Sequence, residues 1–303
     1  MTITTDFQRK IADLHLKTEL RFNEPMSKHT SFRIGGPAEV MAFPKSREEL
    51  AELLKLSDIS DGSTAILGAG TNVLAPDEGV TGLVICLKDC LGGIEQLSAD
   101  RIWVAAGVTM TRAAVYAAGV GLGGMEFAHG IPGTVGGGVF MNAGAYGGQI
   151  SDICESVDVM SMTGEIVTYT AEQMQFAYRY SRLEDQPGIV LSAIFKLEKK
   201  PETEIRAIMQ DLMARRKHSQ PLELPSAGSA FKRPAGNYAG ALIEQAGLKG
   251  FRVGNAAISE KHAGFAVNLG DATAADVKKL LDQVSRRVYE QSGIKLEPEV
   301  RIW

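Results

Sequence analysis

The segment Gly130-Ile131-Pro132-Gly133-Thr134-Val135-Gly136-Gly137-Gly138 constrains the fold more than any other part of the chain. It lies within residues 119–148, which contain 12 glycines in 30 positions. A flexible linker combines glycine with serine and other polar residues, but this segment also carries Phe127, Phe140 and Tyr146. The apolar residues favour a segment that packs into the protein, with a linker as the alternative.

A second glycine-containing loop, Gly68-Ala69-Gly70-Thr71-Asn72, directly follows a predicted strand at 64–67. Glycine lets a backbone approach a ligand closely, and successive N–H groups can form a concave nest for phosphate oxygens. The side chains of Thr71, Asn72 and Thr134 can add hydrogen bonds. We therefore predict that the two loops hold a pyrophosphate without any lysine. A third glycine at Rossmann spacing and a Walker lysine are both missing, which disfavours a standard NAD or ATP domain.

Composition and charge disfavour several classes of protein. The 303 residues are 45% hydrophobic and 22% charged, so the chain can bury a full core without disulfides or metals. The formal net charge is −4, so no global positive field attracts nucleic acid or an acidic membrane surface. A small anionic ligand remains compatible with this charge, because it needs only a local basic pocket.

Cysteine usage and the N-terminal residues indicate the compartment. Cys86, Cys90 and Cys154 are too few and too scattered for a disulfide framework, and we expect them to be inert core residues. The N-terminus has neither the charged lead nor the apolar block of a signal peptide. No apolar stretch reaches the length of a membrane span. These features predict a cytoplasmic protein that does not insert into membranes.

Hydrophobic periodicity predicts an α+β fold. We expect helices over 6–20, from Ser46 through Leu54, near 110–118, around 205–213 and over 277–288, the last capped by Asp271. We expect strands at 40–43, 64–67, 83–87, 102–106, 189–197, 253–258 and 265–269, and a hairpin of 157–160 with 166–169.

A change in composition near Lys199-Lys200-Pro201 predicts the main domain boundary. We divide the chain into an N-terminal helical segment at 1–28, a first domain at 29–199 and a smaller C-terminal domain at 200–303. The last strand is expected to return towards the ligand site of the first domain.

Eight short segments, taken in order, resemble the UDP-N-acetylenolpyruvoylglucosamine reductase family. Any one of them is weak evidence, whereas the whole series is specific and covers nearly all of the chain after residue 20. The segments are KHTSFRIGGP at 28–37, LGAGTN at 67–72, GIPGTVGG at 130–137, MNAGAYG at 141–147, FAYRYS at 176–181, PSAGSAFK at 225–232, SEKHAGF at 259–265 and LEPEVR at 296–301.

The resemblance implies a flavoenzyme of peptidoglycan precursor synthesis. Its first domain is expected to bind FAD non-covalently, with the fold shared by vanillyl-alcohol oxidase (the PCMH type), and the C-terminal domain is expected to bind a UDP-sugar. NADPH is expected to be the reductant. The short linker between Tyr180 and Ile189 is similar to the shorter subclass of the family, which lacks an extra substrate-covering insertion.

The resemblance also implies which residues contact the cofactor and the substrate. The predicted FAD contacts are Gly68, Ala69, Gly70, Thr71, Asn72, Gly130, Ile131, Pro132, Gly133, Thr134, Gly136, Gly137, Asn142, Gly144 and Ala145. The predicted substrate contacts are Tyr178, Arg215, Lys232 and Lys261. For Arg215, which is part of Arg215-Arg216-Lys217, charge complementarity with a helix C-terminus is an equal alternative.

Three residues match the catalytic positions of the family. Arg179 is expected to bind a substrate carboxylate through two donors, Ser229 to donate a proton, and Glu299 to polarise the carboxylate or relay a proton. The last role favours a protonated Glu299 with a raised pKa. Without the resemblance, the same residues would be interpreted as a surface arginine, a turn serine and an exposed carboxylate.

No metal site is expected. His262 lies in a matching segment and His129 directly precedes one, but they lack metal-ligand spacing, so we interpret them as hydrogen-bonding structural residues. Two other functions remain compatible with the sequence: another FAD-dependent oxidase or dehydrogenase of the same fold, and a non-catalytic nucleotide-sugar binding protein.

Overall fold

A computed structural model describes residues 5–56, 64–88 and 90–303. The helices in these ranges are α1 (Asp6–Asp13), α2 (Arg47–Leu54), α3 (Met110–Gly119), α4 (Val135–Phe140), α5 (Glu202–Ser219), α6 (Ala239–Gln245) and α7 (Ala274–Ser292). The strands are β1 (Glu19–Pro25), β2 (Pro37–Phe43), β3 (Thr64–Leu67), β4 (Val73–Leu74), β5 (Val80–Cys86), β6 (Ile94–Gln96), β7 (Arg101–Ala105), β8 (Leu122–Gly123), β9 (Gly144–Ala145), β10 (Gly148–Gln149), β11 (Cys154–Ser161), β12 (Ile166–Thr170), β13 (Gly188–Lys196), β14 (Glu198–Lys199), β15 (Ser226–Ser229), β16 (Arg252–Val253), β17 (Ala256–Ile258), β18 (Phe265–Asn268) and β19 (Arg301–Ile302). The predicted α+β class is confirmed.

Two compact units divide the described residues. The first comprises the described parts of Met1–Phe22, Val40–Ala69 and Gly82–Arg216, and the second comprises Asn23–Glu39, Gly70–Thr81 and Lys217–Trp303. The units are therefore interleaved along the chain, whereas the sequence predicted contiguous segments with limits at 28, 199 and 303.

Helix α5 accounts for the shift of the boundary that was predicted near residue 199. The sequence placed it after the boundary at Lys199-Lys200-Pro201, but Ile205 and Met209 are buried in the hydrophobic core of the first unit. Burying an apolar stripe is the main source of stability for a helix in a protein. The helix therefore belongs to the first unit as far as Arg216.

An antiparallel sheet of five strands forms the centre of the first unit, in the order β12-β11-β13-β7-β6. The predicted hairpin is confirmed, because Val157 pairs with Tyr169 and Met160 with Ile166. Strand β13 lies in the middle of this sheet between β11 and β7. Its Val/Ile/Leu-rich sequence suits a strand that is covered on both faces.

A second sheet contains β3, whose end leads into the first glycine loop. Strand β3 runs parallel to β5, with Leu67 opposite Cys86, in a sheet of order β1-β2-β5-β3. The amide of Leu87 also donates to the carbonyl of Leu67 at 2.7 Å. The backbone is therefore fixed up to the residue before Gly68, where the first glycine loop begins.

The second unit contains the sheet β15-β18-β17-β16 and helices α6 and α7. Helix α7 buries its predicted apolar stripe of Val277, Leu280, Leu281, Val284 and Val288. The predicted strand at 253–258 is wrong in one respect, because Gly254 adopts a φ of 55° and the chain reverses there. Strands β16 and β17 consequently pair with each other, with Val253 opposite Ala256.

The predicted helix over 6–20 is also wrong beyond its first half. Thr5 and Gln8 form a capping box at the start of α1, which ends at Asp13. His15 then adopts a φ of 47°, a left-handed conformation that cannot continue a right-handed helix. Residues 19–25 form β1 instead, so the segment 1–28 is only partly helical.

The start of α7 differs from the prediction as well. Thr273 is the N-cap residue, and its side chain accepts a hydrogen bond from the amide of Asp276 at 3.0 Å. The carboxylate of Asp276 accepts from the amide of Thr273 in return, at 3.2 Å. Asp271, the predicted cap, lies outside this box with a φ of 54°.

The three cysteine thiols agree with the prediction that they are inert core residues. Cys86, Cys90 and Cys154 are buried, and none of the three forms a disulfide. Burial raises the pKa of Cys90 and of Cys154 to about 12, so neither thiol is reactive near neutral pH. Within the described ranges, none of the helices combines the length and the apolar character that crossing a bilayer requires.

We predict that Thr273→Ala lowers the free energy of unfolding by about 1 kcal/mol, because it removes a side-chain cap. Asp271→Asn is the matched control and should change stability little, since asparagine tolerates the same left-handed conformation. Urea denaturation of both variants measures the difference. Equal losses in the two variants would contradict the assignment of the cap to Thr273.

Candidate active site

The two glycine loops predicted to bind a cofactor meet within the first unit. Thr134 is buried and caps α4, where its hydroxyl accepts from the amide of Gly137 at 3.3 Å. A Cβ atom added to Gly68 would lie 3.0 Å from the same hydroxyl oxygen. A larger residue at position 68 would therefore push the loops apart.

Backbone hydrogen bonds hold the second loop against the end of β7. The amide of Val135 donates to the carbonyl of Val108 at 2.8 Å, and the amide of Gly136 donates to that of Ala106 at 2.9 Å. A Cβ atom on Gly136 would lie 2.9 Å from the Cβ of Ala106. The N–H groups of Gly136 and Gly137 are thus engaged within the protein, so these two glycines offer a ligand close approach and no additional donors.

The surface that the loops leave fits a flat, elongated cofactor. Pro132 and Gly137 are exposed, and the nearest described atom to a Cβ on Gly137, its own helix apart, is the hydroxyl oxygen of Thr134 at 3.6 Å. Thr134 is only 4% exposed. The result is an accessible stretch of backbone without large side chains, which a flat ligand can approach closely.

Asn142 lies in the glycine-rich stretch 119–148, called the glycine segment below, and connects it to the turn that carries Arg179. It is buried, with a φ of 43°. Its Oδ1 accepts from the amide of Ser151 at 2.9 Å, and its Nδ2 donates to the carbonyl of Ala177 at 2.9 Å. The side chain of Asn142, predicted to contact the cofactor, therefore has a structural role in this unit.

Arg179 lies in a tight turn closed by two hydrogen bonds between Ala177 and Tyr180, of 3.1 and 3.2 Å. Its φ of 54° is unusual for a residue with a side chain. One guanidinium nitrogen, Nη2, donates to the carbonyl of Gly144 at 3.0 Å. The predicted substrate residue Tyr178 is exposed, and the guanidinium carbon lies 5.0 Å from the centre of its ring. Such left-handed residues often occur at functional sites.

The end of the first glycine loop lies in the second unit, next to the C-terminal strand. Gly70 has a φ of 63°, and a Cβ atom there would collide with the carbonyl oxygen of His29, so only glycine fits. Asn72 donates from Nδ2 to the carbonyl of Glu299 at 3.1 Å and accepts from the amide of Arg301 at 3.0 Å. Strand β19 then pairs in parallel with β4.

The structure also brings Ser229 close to Glu299 within the second unit. The amide of Glu299 donates to the carbonyl of Ala230 at 3.0 Å, so the two predicted catalytic residues lie on neighbouring segments. An irregularity in the pairing of β15 with β18 precedes Ser229, and Gly228 has a φ of 78°. Such bulges redirect a side chain from the regular face of a strand. Both Ser229 and Glu299 are half-buried.

The three predicted basic substrate contacts are less well defined. Arg215 has an exposed side chain and forms an ion pair with Asp211 one turn earlier in α5, at 2.8 Å. Lys261 donates from Nζ to the carbonyl of Lys217 at 2.8 Å. Lys232 is half-exposed. Their assignment to the substrate stays a prediction.

Arg216, which was not among the predicted site residues, is buried at 6% exposure. Burial lowers the pKa of its guanidinium, an effect that Tyr146 partly offsets. The spacing of Ile205, Met209 and Arg216 contained the signal, because intervals of four and seven place all three on one face of a helix.

The surroundings of His129 and His262 differ, and neither histidine belongs to a cluster of metal ligands among the described residues. Within the described residues, no group of three or more His, Cys, Asp or Glu side chains could hold a metal ion. Nδ1 of His262 accepts from the amide of Gly264 at 3.0 Å, as a structural residue would. Burial is the largest cause that lowers the pKa of His262. Nδ1 of His129 is buried without a hydrogen-bond partner among the described residues.

Two family models match the chain. Residues 38–170 match an FAD binding domain, and residues 220–303 match the C-terminal domain of UDP-N-acetylenolpyruvoylglucosamine reductase. The first match includes both glycine loops, and the second includes Ser229 and Glu299. The expected FAD-binding fold with a smaller C-terminal domain is thus confirmed.

Relatives named UDP-N-acetylenolpyruvoylglucosamine reductase match over nearly the whole chain. The protein of Agathobacter rectalis is 46% identical, with 92% of each chain covered. The protein of Caldanaerobacter subterraneus subsp. tengcongensis is 44% identical, over 97% of this chain and 96% of the relative. The crystal structure of the reductase from Thermus caldophilus is 37% identical, with a TM-score of 0.78 over 95% of this chain and 99% of that one.

These identities far exceed what a shared fold alone produces, and they cover more than nine-tenths of the chain. The chain belongs to the UDP-N-acetylenolpyruvoylglucosamine reductase family.

Proposed function

We propose that this chain uses NADPH and FAD to reduce the enolpyruvyl ether of UDP-N-acetylglucosamine to UDP-N-acetylmuramate, a precursor of peptidoglycan. The observation that carries the proposal is the pairing of Ser229 with Glu299 on hydrogen-bonded segments of the second unit. A nucleotide-sugar binding protein does not need a hydroxyl and a carboxyl placed in this way. The names of the relatives and the FAD binding domain support the same conclusion.

Reduction of the enolpyruvyl double bond requires a hydride at one carbon and a proton at the next. FAD, when bound, supplies the hydride after accepting it from NADPH. The residues proposed to hold it are those of the two glycine loops, where Gly68 lies against Thr134 in the first unit. The contribution of these residues is close backbone approach and exclusion of side chains from the cofactor surface.

Arg179 is proposed to bind the carboxylate of the substrate. A guanidinium is permanently charged and offers a planar fork of donors that matches a carboxylate. Addition of hydride builds negative charge onto this carboxylate, so a fixed positive charge stabilises the transition state more than the ground state. The hydrogen bond to Gly144 fixes the guanidinium on one side before substrate arrives.

Ser229 is proposed to donate the proton. A hydroxyl is a weak acid, yet it can protonate a neighbouring carbanion-like carbon, which is far more basic. The bulge at Gly228 supports this role because it redirects the side chain out of the regular strand pattern.

Glu299 is proposed to act with Arg179 on the substrate carboxylate or to relay a proton. Its backbone is held on both sides, by Asn72 at the carbonyl and by Ala230 at the amide. A fixed backbone keeps the carboxyl group close to one position, which general acid–base catalysis requires.

We predict that Gly68→Val abolishes most FAD binding, because a branched side chain would collide with Thr134 and separate the loops. Gly119→Ala is the matched control, since Gly119 is exposed and has nothing within 4 Å of its added Cβ. The FAD content after purification is read from the flavin absorbance, and heat denaturation should release the flavin from wild type. Flavin that stays on the denatured chain would instead favour a covalent flavin oxidase.

We predict that Ser229→Ala slows oxidation of the reduced enzyme by the enolpyruvyl ether at least about 100-fold, which is the usual contribution of a general acid. Reduction by NADPH should stay near the wild-type rate, because no proton donor to the substrate is involved. Stopped-flow absorbance follows the two half-reactions separately. Ser226→Ala, on the same strand, serves as the control, and equal rates in the two variants would remove Ser229 from the mechanism.

We predict that Glu299→Gln lowers turnover about 100-fold, because an amide can neither relay a proton nor adopt a charged form. Steady-state oxidation of NADPH in the presence of the enolpyruvyl ether is the measurement. Glu290→Gln is the control, as this exposed glutamate lies on α7 of the same unit. Near-normal turnover of Glu299→Gln would show that the carboxyl group is dispensable.

A further inference from the structure

Arg216 places a charge in the interior of the first unit. Its neighbours on the same face of α5, Ile205 and Met209, are core residues, and Arg216 itself is only 6% exposed. Moving a guanidinium out of water costs free energy, so a buried arginine needs favourable contacts that offset this cost. These contacts lie on the glycine segment.

Two parts of the glycine segment touch Arg216. A Cβ atom on Gly130 would lie 3.2 Å from Nε and 3.3 Å from Cδ of Arg216, so the stem of the arginine runs along this glycine. The guanidinium carbon lies 5.4 Å from the centre of the Tyr146 ring. A cation at this distance from an aromatic face is attracted to it, and more strongly when it is desolvated.

Tyr146 forms the tip of a small hairpin. Strands β9 and β10 pair with Gly144 opposite Gln149, and the two residues at the tip, Tyr146 and Gly147, have φ values of 54° and 89°. This is the backbone pattern of a tight two-residue turn, for which a residue other than Gly, Asn or Asp is unfavourable at the first position. A tyrosine in this strained place is consistent with a role for its ring.

The base of the same hairpin carries the contact to Arg179. The carbonyl of Gly144 accepts from Nη2 of Arg179 at 3.0 Å. Tyr146 is two residues away and rests on Arg216. The hairpin therefore has one arginine at its tip and another at its base, and its orientation affects both.

We infer that Arg216 and Tyr146 form a clamp that positions Arg179, with Arg216 holding the hairpin tip so that the carbonyl of Gly144 orients the guanidinium of Arg179. Arg216 is thus a positioning residue. The inference rests on the proposed function, because that function assigns Arg179 to the substrate carboxylate. The clamp therefore acts in the second half-reaction, in which the substrate accepts hydride. It has no role in the first half-reaction, in which NADPH donates hydride.

The test compares four variants as FAD-loaded enzymes: Tyr146→Leu, Tyr146→Phe, Arg216→Met and Arg206→Met. Stopped-flow absorbance gives the rate of reduction by NADPH and the rate of oxidation by the enolpyruvyl ether. We expect Tyr146→Leu and Arg216→Met to slow oxidation about tenfold, the scale of one desolvated cation–π contact. Tyr146→Phe keeps the ring and should stay within about twofold of wild type. Arg206→Met, an exposed ion-paired arginine of the same helix, should behave as wild type.

Reduction by NADPH should change less than about twofold in every variant, because a misplaced Arg179 affects only the substrate carboxylate. Equal slowing of both half-reactions, or a Tyr146→Phe variant as slow as Tyr146→Leu, overturns the clamp. Should Arg216→Met fail to fold, the two Tyr146 variants decide the question, since this tyrosine is exposed at a hairpin tip. If the enolpyruvyl ether does not oxidise the reduced wild-type enzyme, the proposed function is wrong, and the clamp is wrong with it.

Discussion

Close packing of glycine backbone against neighbouring side chains is the constraint on which the FAD-binding part of this protein depends. Gly68 lies against Thr134, and Gly136 against Ala106, at distances that leave no room for a side chain. Glycine loses more conformational freedom on folding than any other residue, and this loss lowers the stability of the folded state. At these positions the packing of the loops outweighs that entropic cost. The exposed backbone surface beside Thr134 is a consequence of the same packing.

The second unit solves a different problem, which is how to align groups that are far apart in the sequence. The side chain of Asn72 donates a hydrogen bond to the carbonyl of Glu299, and the amide of Glu299 donates to the carbonyl of Ala230, the residue after Ser229. Hydrogen bonds are directional, so these two bonds fix the C-terminal segment against the segments that carry Asn72 and Ser229. Arg179 is held in the first unit by the analogous arrangement of a tight turn and a carbonyl partner. Hydrogen bonds to main-chain carbonyls thus hold the catalytic candidates in place, although these residues lie in unrelated parts of the sequence.

Prediction from the sequence succeeded where a pattern was local. The hairpin of β11 and β12, the buried stripe of α7 and the inert cysteines all follow from periodicity or composition. It failed where several local signals competed, as at the end of α1 and at the start of α7, where Thr273 caps the helix in place of Asp271. The burial of Arg216 beside the exposed Arg215 was not predicted either, because adjacent arginines differ only in the face of the helix on which they lie.

The sequence by itself determined the family, the α+β class, the glycine loops and the identities of Arg179, Ser229 and Glu299 as candidates, because ordered motifs carry that information without coordinates. Only the tertiary structure decided which residues are neighbours: Gly68 with Thr134, Ser229 with Glu299, and Arg216 with Tyr146. It also decided that α5 belongs to the first unit up to Arg216. The physical reason is that burial and long-range hydrogen bonds depend on which surfaces meet, and a one-residue step along a helix turns a side chain from solvent into the core.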